Sequence, residues 1–165
     1  MLPRILVSAC LLGRPVRYNG SAKTIAHPLI AQWQREGRLV PVCPELAGGF
    51  GVPRPAAEIA DAAAGAAVLA GAARVIDIRG DDVTTYFVRG AQAALELALA
   101  QECRFALLIE GSPSCGSHVI YDGSFTGRKH EGAGVTTALL RQHGIEVFAE
   151  TEVDALHARL TQGTA

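Results

Sequence analysis

Phe105-Ala106-Leu107-Leu108-Ile109-Glu110-Gly111-Ser112-Pro113-Ser114-Cys115-Gly116-Ser117 contains the transition that decides the fold. Its first five residues are an unbroken apolar run of strand length with a β-branched end, the pattern of a strand sealed on both faces. From Gly111 onward, proline, glycine and serine forbid helix or ladder and expose amides and hydroxyls around one sulfur. A structural cysteine belongs in the apolar run, yet Cys115 lies in the polar loop after it. Taken alone, these residues fit an ordinary turn with a stray thiol equally well.

Two further cysteines stand at the same relative place. Cys10 comes just after Ile5-Leu6-Val7, and Cys43 directly after Leu39-Val40-Pro41-Val42. In an open parallel sheet all strand carboxyl ends share one edge, and ligands bind in the crevice outside it. Three loop cysteines far apart in sequence are therefore expected to meet. Cys103 precedes its strand and belongs to the opposite edge, about 17–20 Å away at 3.3 Å per residue. It reads as a packing thiol.

The rest of the chain supplies the frame. Pro28 fits the first turn of a helix running to about Glu36 and stopped by Gly37. Cys43 to Pro55 reads as a long loop without regular structure, because its prolines and glycines exclude it. Glu58 to Ala73 reads as a short helix or irregular arm before a small hairpin. Arg74 to Ile78 suits an edge strand, with Gly80-Asp81 as the turn. Asp82 or Thr84 can cap a long helix to about Glu102 with Phe87, Ala91, Leu95 and Ala98 on one face. Val119-Ile120-Tyr121 and Ser124-Phe125 flank Asp122-Gly123, a hairpin signal. A helix follows Gly134 through Gln142, Glu146 to Ala149 is a fourth strand, and Val153 to Leu160 is a closing helix. Strands alternating with helices predict an α/β, Rossmann-like three-layer domain with a largely parallel sheet plus a small hairpin, a single domain over residues 1–165.

Hydrophobic residues make up 49% of the 165 and charged residues 19%, a globular composition. The net charge of −1 argues against a general nucleic-acid surface or electrostatic membrane attachment. No apolar run approaches the roughly 20 residues that span a bilayer, and no signal peptide opens the chain. The expected location is the cytoplasm, where cysteines serve more often as ligands or nucleophiles than as disulfides.

Three thiolates leave one position of a metal centre open. That suits a catalytic zinc or an iron–sulfur cluster with one iron free of protein, and spacing does not choose between them. His118 is either a fourth ligand or, more in keeping with its place, the solvated start of the next strand. Glu45, two residues after Cys43, is placed to move protons at such a centre or is an ordinary loop carboxylate. Ser112 and Ser114 either meet a substrate or satisfy their own loop. Arg14, Arg17, Arg54, Arg128 and Lys129 all fall in loops on the cysteine edge, which hints at an anionic substrate group. The glycines from Gly48 to Gly51 make no phosphate loop, since Pro53 and Pro55 prevent a following helix.

Read jointly, Ser8-Ala9-Cys10-Leu11-Leu12-Gly13, Val42-Cys43-Pro44-Glu45, Pro53-Arg54-Pro55-Ala56-Ala57-Glu58, Ser112-Pro113-Ser114-Cys115-Gly116 and Tyr121-Asp122-Gly123-Ser124-Phe125-Thr126-Gly127 closely resemble the bacterial family that includes the thiouracil desulfidases. The likeness covers nearly the whole chain and is weakest from Asp61 to Ala73. The resemblance implies a [4Fe–4S] cluster on Cys10, Cys43 and Cys115 with one iron not bound by protein. It further implies Glu45 as proton shuttle and Ser112 assisting at the substrate, with Arg14, Arg17 and Ser114 as further substrate-binding candidates. The expected reaction is non-redox removal of sulfur from thiouracil or a thiouridine nucleotide as hydrosulfide. The expected partner is that small molecule, with no polymeric nucleic acid and no membrane. Two rivals remain: a persulfide sulfurtransferase working through Cys115, and a non-enzymatic iron–sulfur binding or sensing module.

Overall fold

The structure is a computed structural model and describes residues 2–162. Strand β1 (Arg4–Ser8) is buried from its second residue on, and β5 (Cys103–Leu108) is nearly so. These are the central strands, which explains their unbroken apolar runs. Helix α1 (Pro28–Arg35) leads to β2 (Leu39–Val42), and α4 (Thr84–Ala100) leads to β5. Helix α5 (Val135–Gln142) then leads to β8 (Glu146–Ala149), and α6 (Val153–Gln162) closes the described chain.

The main sheet runs β2-β1-β5-β8, and every pairing in it is parallel. Helices α4 and α5 pack together, as do α1 and α6, giving a helical layer on each face. The strand order reverses beside β1: the chain steps outward to β2 and then crosses back to β5. Such a switch point opens a crevice at the carboxyl ends of the strands.

Four details depart from the sequence expectation. Between β2 and Pro55 the chain makes one helical turn, α2 (Pro44–Ala47), because Pro44 fits the first helical position. Gly48 and Gly90 let this turn lie directly on α4. A Cβ on Gly90 would stand 2.1 Å from the Pro44 carbonyl oxygen, and one on Gly48 2.1 Å from that of Tyr86. Second, the stretch Val75–Asp77 (β4) is no edge strand of the main sheet. It pairs antiparallel with Ala57–Ile59 (β3), over a separate small core that includes Ile59, Val75, Phe87 and Ile120.

Third, Val119–Tyr121 (β6) pairs with Lys129–Glu131 (β7), leaving Ser124-Phe125 in the connecting loop. Asp122 binds the Ser124 amide at 2.9 Å and the distant Glu58 takes the Gly123 and Phe125 amides, so one local and one long-range side chain hold this loop in place of a two-residue turn. Fourth, Val83 occupies the cap position of α4, while the Asp82 side chain accepts from the Thr84 amide at 3.0 Å. The arm between the two small strands does hold the short helix expected of it, α3 (Gly65–Leu69).

Candidate active site

The three loop cysteines converge. Cys10, Cys43 and Cys115 line one cavity of about 350 Å³ at the carboxyl edge, together with Glu45, Arg54, Ser112, Arg17, Lys23, Tyr121 and Lys129. Cys10 sits in a short 3₁₀ turn that begins as β1 ends, and Cys43 immediately precedes α2. All four cysteines are free.

The loop carrying Cys115 is fixed from both sides. The Ser112 hydroxyl oxygen accepts from the Ser114 and Cys115 amides at 3.0 and 3.2 Å. The carbonyls of Pro113 and Ser114 accept from the Val135 and Thr136 amides at 2.8 and 2.9 Å, so the loop caps helix α5. Gly134 permits this approach, since a Cβ there would stand 2.5 Å from the Ser114 carbonyl group. Glu110 closes the loop base by accepting from the Ser117, His118 and Val119 amides at 2.8, 3.1 and 3.1 Å. Burial opposes its ionisation, but these amide bonds together hold its carboxyl below the usual range.

Burial pushes the Cys10 thiol up to about 11, with neighbouring Cys43 adding to the effect. Burial also raises Cys43. Cys115 is raised furthest, by burial and then by Glu45, Cys43 and Cys10. The thiols thus feel one another and a carboxylate in a poorly hydrated space. A soft cationic centre bound by such a set would ionise the thiols. One ion bonds thiolates at about 2.3 Å, so a single-ion site needs them packed to roughly 4 Å. Among the described residues no group of three His, Cys, Asp or Glu side chains is arranged to hold a single metal ion. A polynuclear iron–sulfur cluster takes each thiolate on a different iron and suits wider spacing. The donor set fits such a cluster.

Glu45 faces the same cavity. Its Oε1 accepts from Arg54 Nε at 2.9 Å, and its Oε2 lies 3.5 Å from the Ser112 hydroxyl. Other expected residues stand elsewhere. Arg14 and Arg128 are exposed and do not line the cavity. Ser114 is 1% exposed, and its hydroxyl pairs with Thr136 Oγ1 at 2.7 Å, so it serves the α5 junction. His118 is exposed and bonds Glu152 at 2.7 Å, the solvated alternative. Cys103 is buried at the far end of β5. Lys23, Glu58, Glu110 and Tyr121 also line the cavity. The residue pattern carries no spacing that signals them as wall residues, although Glu58 and Tyr121 do fall within the motif stretches.

A family model described as 2-thiouracil desulfurase matches residues 5–152. The chain belongs to that family. It is an enzyme of this desulfidase group. It is 45% identical over 150 residues to the uncharacterized protein YbbK of Bacillus subtilis (strain 168), covering 91% of this chain and 97% of that protein. A solved structure described as a [4Fe-4S]-dependent thiouracil desulfidase, TudS, is 49% identical with a TM-score of 0.88, covering 97% of this chain and 99% of that one. The three-layer α/β fold read from strand and helix alternation is the fold of this desulfidase. Among the described residues no helix is long and apolar enough to cross a membrane.

Proposed function

We propose that this protein hydrolyses the C=S bond of a thiolated uracil, free base or nucleotide, using a [4Fe–4S] cluster on Cys10, Cys43 and Cys115. One iron is left without a protein ligand. The observation that carries the reading is the convergence of three thiols from three strand ends on the cavity that also holds Glu45 and Ser112. Thiouracil and water give uracil and hydrogen sulfide, with no net change of oxidation state. When bound, the cluster supplies a Lewis-acidic iron suited to the thiocarbonyl sulfur.

The chain's own residues do the rest. Glu45 Oε1 is held by Arg54, which leaves Oε2 to take the proton of an attacking water and return it to the leaving sulfur. The Ser112 oxygen already accepts two amides, so its single proton is directed outward to Glu45 or to a substrate oxygen or nitrogen. Arg17, Lys23 and Lys129 give the cavity wall cationic groups for a substrate anion. A persulfide carrier is disfavoured, because a buried Cys115 with a raised thiol is a poor nucleophile. We read the chain as a single-domain cytoplasmic enzyme, and its near-neutral net charge supports action on a small molecule rather than on a polymer or a membrane.

Anaerobic reconstitution with iron and sulfide, followed by sulfide release from 2-thiouracil, 4-thiouracil and their nucleotides, tests this. Iron-dependent sulfide release is expected. A brown, iron-loaded protein that releases none would leave only iron–sulfur binding, and release without iron would favour the persulfide route.

A further inference from the structure

Four cations line the cavity, and one of them is unlike the others. Lys23 is exposed and paired with Glu150, and the Lys129 ammonium lies 5.2 Å from the Tyr121 ring centroid. The Arg17 guanidinium bonds the Ser21 hydroxyl at 3.5 Å. Arg54 has a side chain only 5% exposed, and it points inward to three acceptors on three segments. Nε donates to Glu45 Oε1 at 2.9 Å, Nη1 to the Gly51 carbonyl at 3.1 Å, and Nη2 to the Val16 carbonyl at 2.9 Å. Its own amide donates to the Tyr18 carbonyl at 2.8 Å. A buried guanidinium is costly unless paired and hydrogen-bonded, and Glu45 is its ion-pair partner.

We propose that Arg54 is the positioning residue for Glu45, a fork that fixes one carboxylate oxygen so that the other faces the reacting centre. It is not a substrate-anion site. Three features carry this. Each of its three side-chain nitrogens already bonds a protein acceptor, which fixes the guanidinium in the cavity wall. Pro53 and Pro55 flank it and limit the backbone on both sides. The Val16 carbonyl it grips also accepts from Cys43 Sγ at 3.9 Å, so the fork ties the carboxylate and the Cys43 segment to one frame. Lysine keeps the charge but has a single terminal nitrogen, and it does not span three acceptors spread around a planar fork.

The inference rests on the reading of Glu45 as the proton carrier. The test uses cluster-loaded wild type, R54K, E45Q and the R54K/E45Q double variant. Iron content, melting temperature, kcat and KM for thiouracil are measured on each preparation. R54K is expected to keep wild-type iron and to lose about tenfold in kcat with KM within about twofold, because only the reacting geometry is disturbed. In the E45Q background the same change is expected to alter kcat by less than about twofold, since a residue acting through Glu45 has nothing left to position. An equal fall in both backgrounds, unchanged kcat in R54K, or loss of iron or fold in R54K each overturns the proposal. An E45Q enzyme as active as wild type sinks the reading of Glu45 itself. An impaired E45Q beside a fully active R54K sinks the positioning role alone.

Discussion

Strand β5 begins at one buried cysteine, Cys103, and leads into the loop that carries another, Cys115. Cys103 and Cys115 are both 4% exposed, and burial raises the proton affinity of both. Their neighbours differ. Near Cys103 stands Arg4, which favours the thiolate. Around Cys115 stand Glu45, Cys43 and Cys10, all of which disfavour it. Burial and a raised pKa therefore do not distinguish a ligand from a packing thiol. Convergence with other donors does, and a parallel sheet makes that convergence possible only at the carboxyl edge.

The largest effect expected from this contrast is on the cluster itself. Cys115→Ser should abolish stable iron binding and all desulfuration, as should Cys10→Ser and Cys43→Ser, while Cys103→Ser retains both. Iron and sulfide content of the four proteins decides it; iron lost from Cys103→Ser would break the comparison. Next in size is Glu45→Gln, which keeps the shape and all three thiols. Desulfuration should fall about 10²–10⁴-fold, the usual range for a lost general acid–base, with iron content near wild type. An iron assay and steady-state sulfide release on one preparation check it.

A smaller effect sharpens the chemical difference between the two edges. Arg17 and Lys129 belong to the carboxyl edge only. One charge-assisted phosphate contact contributes about 1.5–3 kcal/mol, so kcat/KM for a thiouridine monophosphate should exceed that for the free base by about tenfold or more. Arg17→Gln should shrink that ratio and leave the free base little changed. Equal efficiency for both forms would show these cations to be merely solvated.

The smallest effect belongs to the other edge. Cys103 is raised from 9.0 to about 11 in the folded protein. Below pH 9 the thiol is protonated folded and unfolded, and its contribution is fully present. Between pH 9 and 11 only the unfolded chain ionises, so that stability is lost as pH rises. Relative to Cys103→Ser, the wild type should lose about 2 kcal/mol across that window, readable in denaturant midpoints. A constant difference between the two proteins would place Cys103 in a wetter site than the fold indicates.

What the sequence determined by itself are the features with a short physical range. Apolar runs at Ile5, Leu39 and Phe105 set the strands, and Pro28 and Gly134 mark helix starts. Placing each cysteine before or after its strand was enough to sort three from the fourth. The expectation of a [4Fe–4S] cluster and of a thiouracil substrate came from the joint motifs rather than from any spacing. Tertiary structure alone decided which loop groups face inward. Arg14 and Arg54 are both loop arginines in sequence, yet one is exposed and the other is buried on Glu45. Ser112 and Ser114 are two residues apart, but the docking of α5 turns one to the cavity and the other to Thr136. The hairpin register likewise depended on Glu58 binding amides 65 and 67 residues away. Side-chain direction in a loop follows from whichever distant backbone packs against it, and that partner is absent from any local stretch of chain.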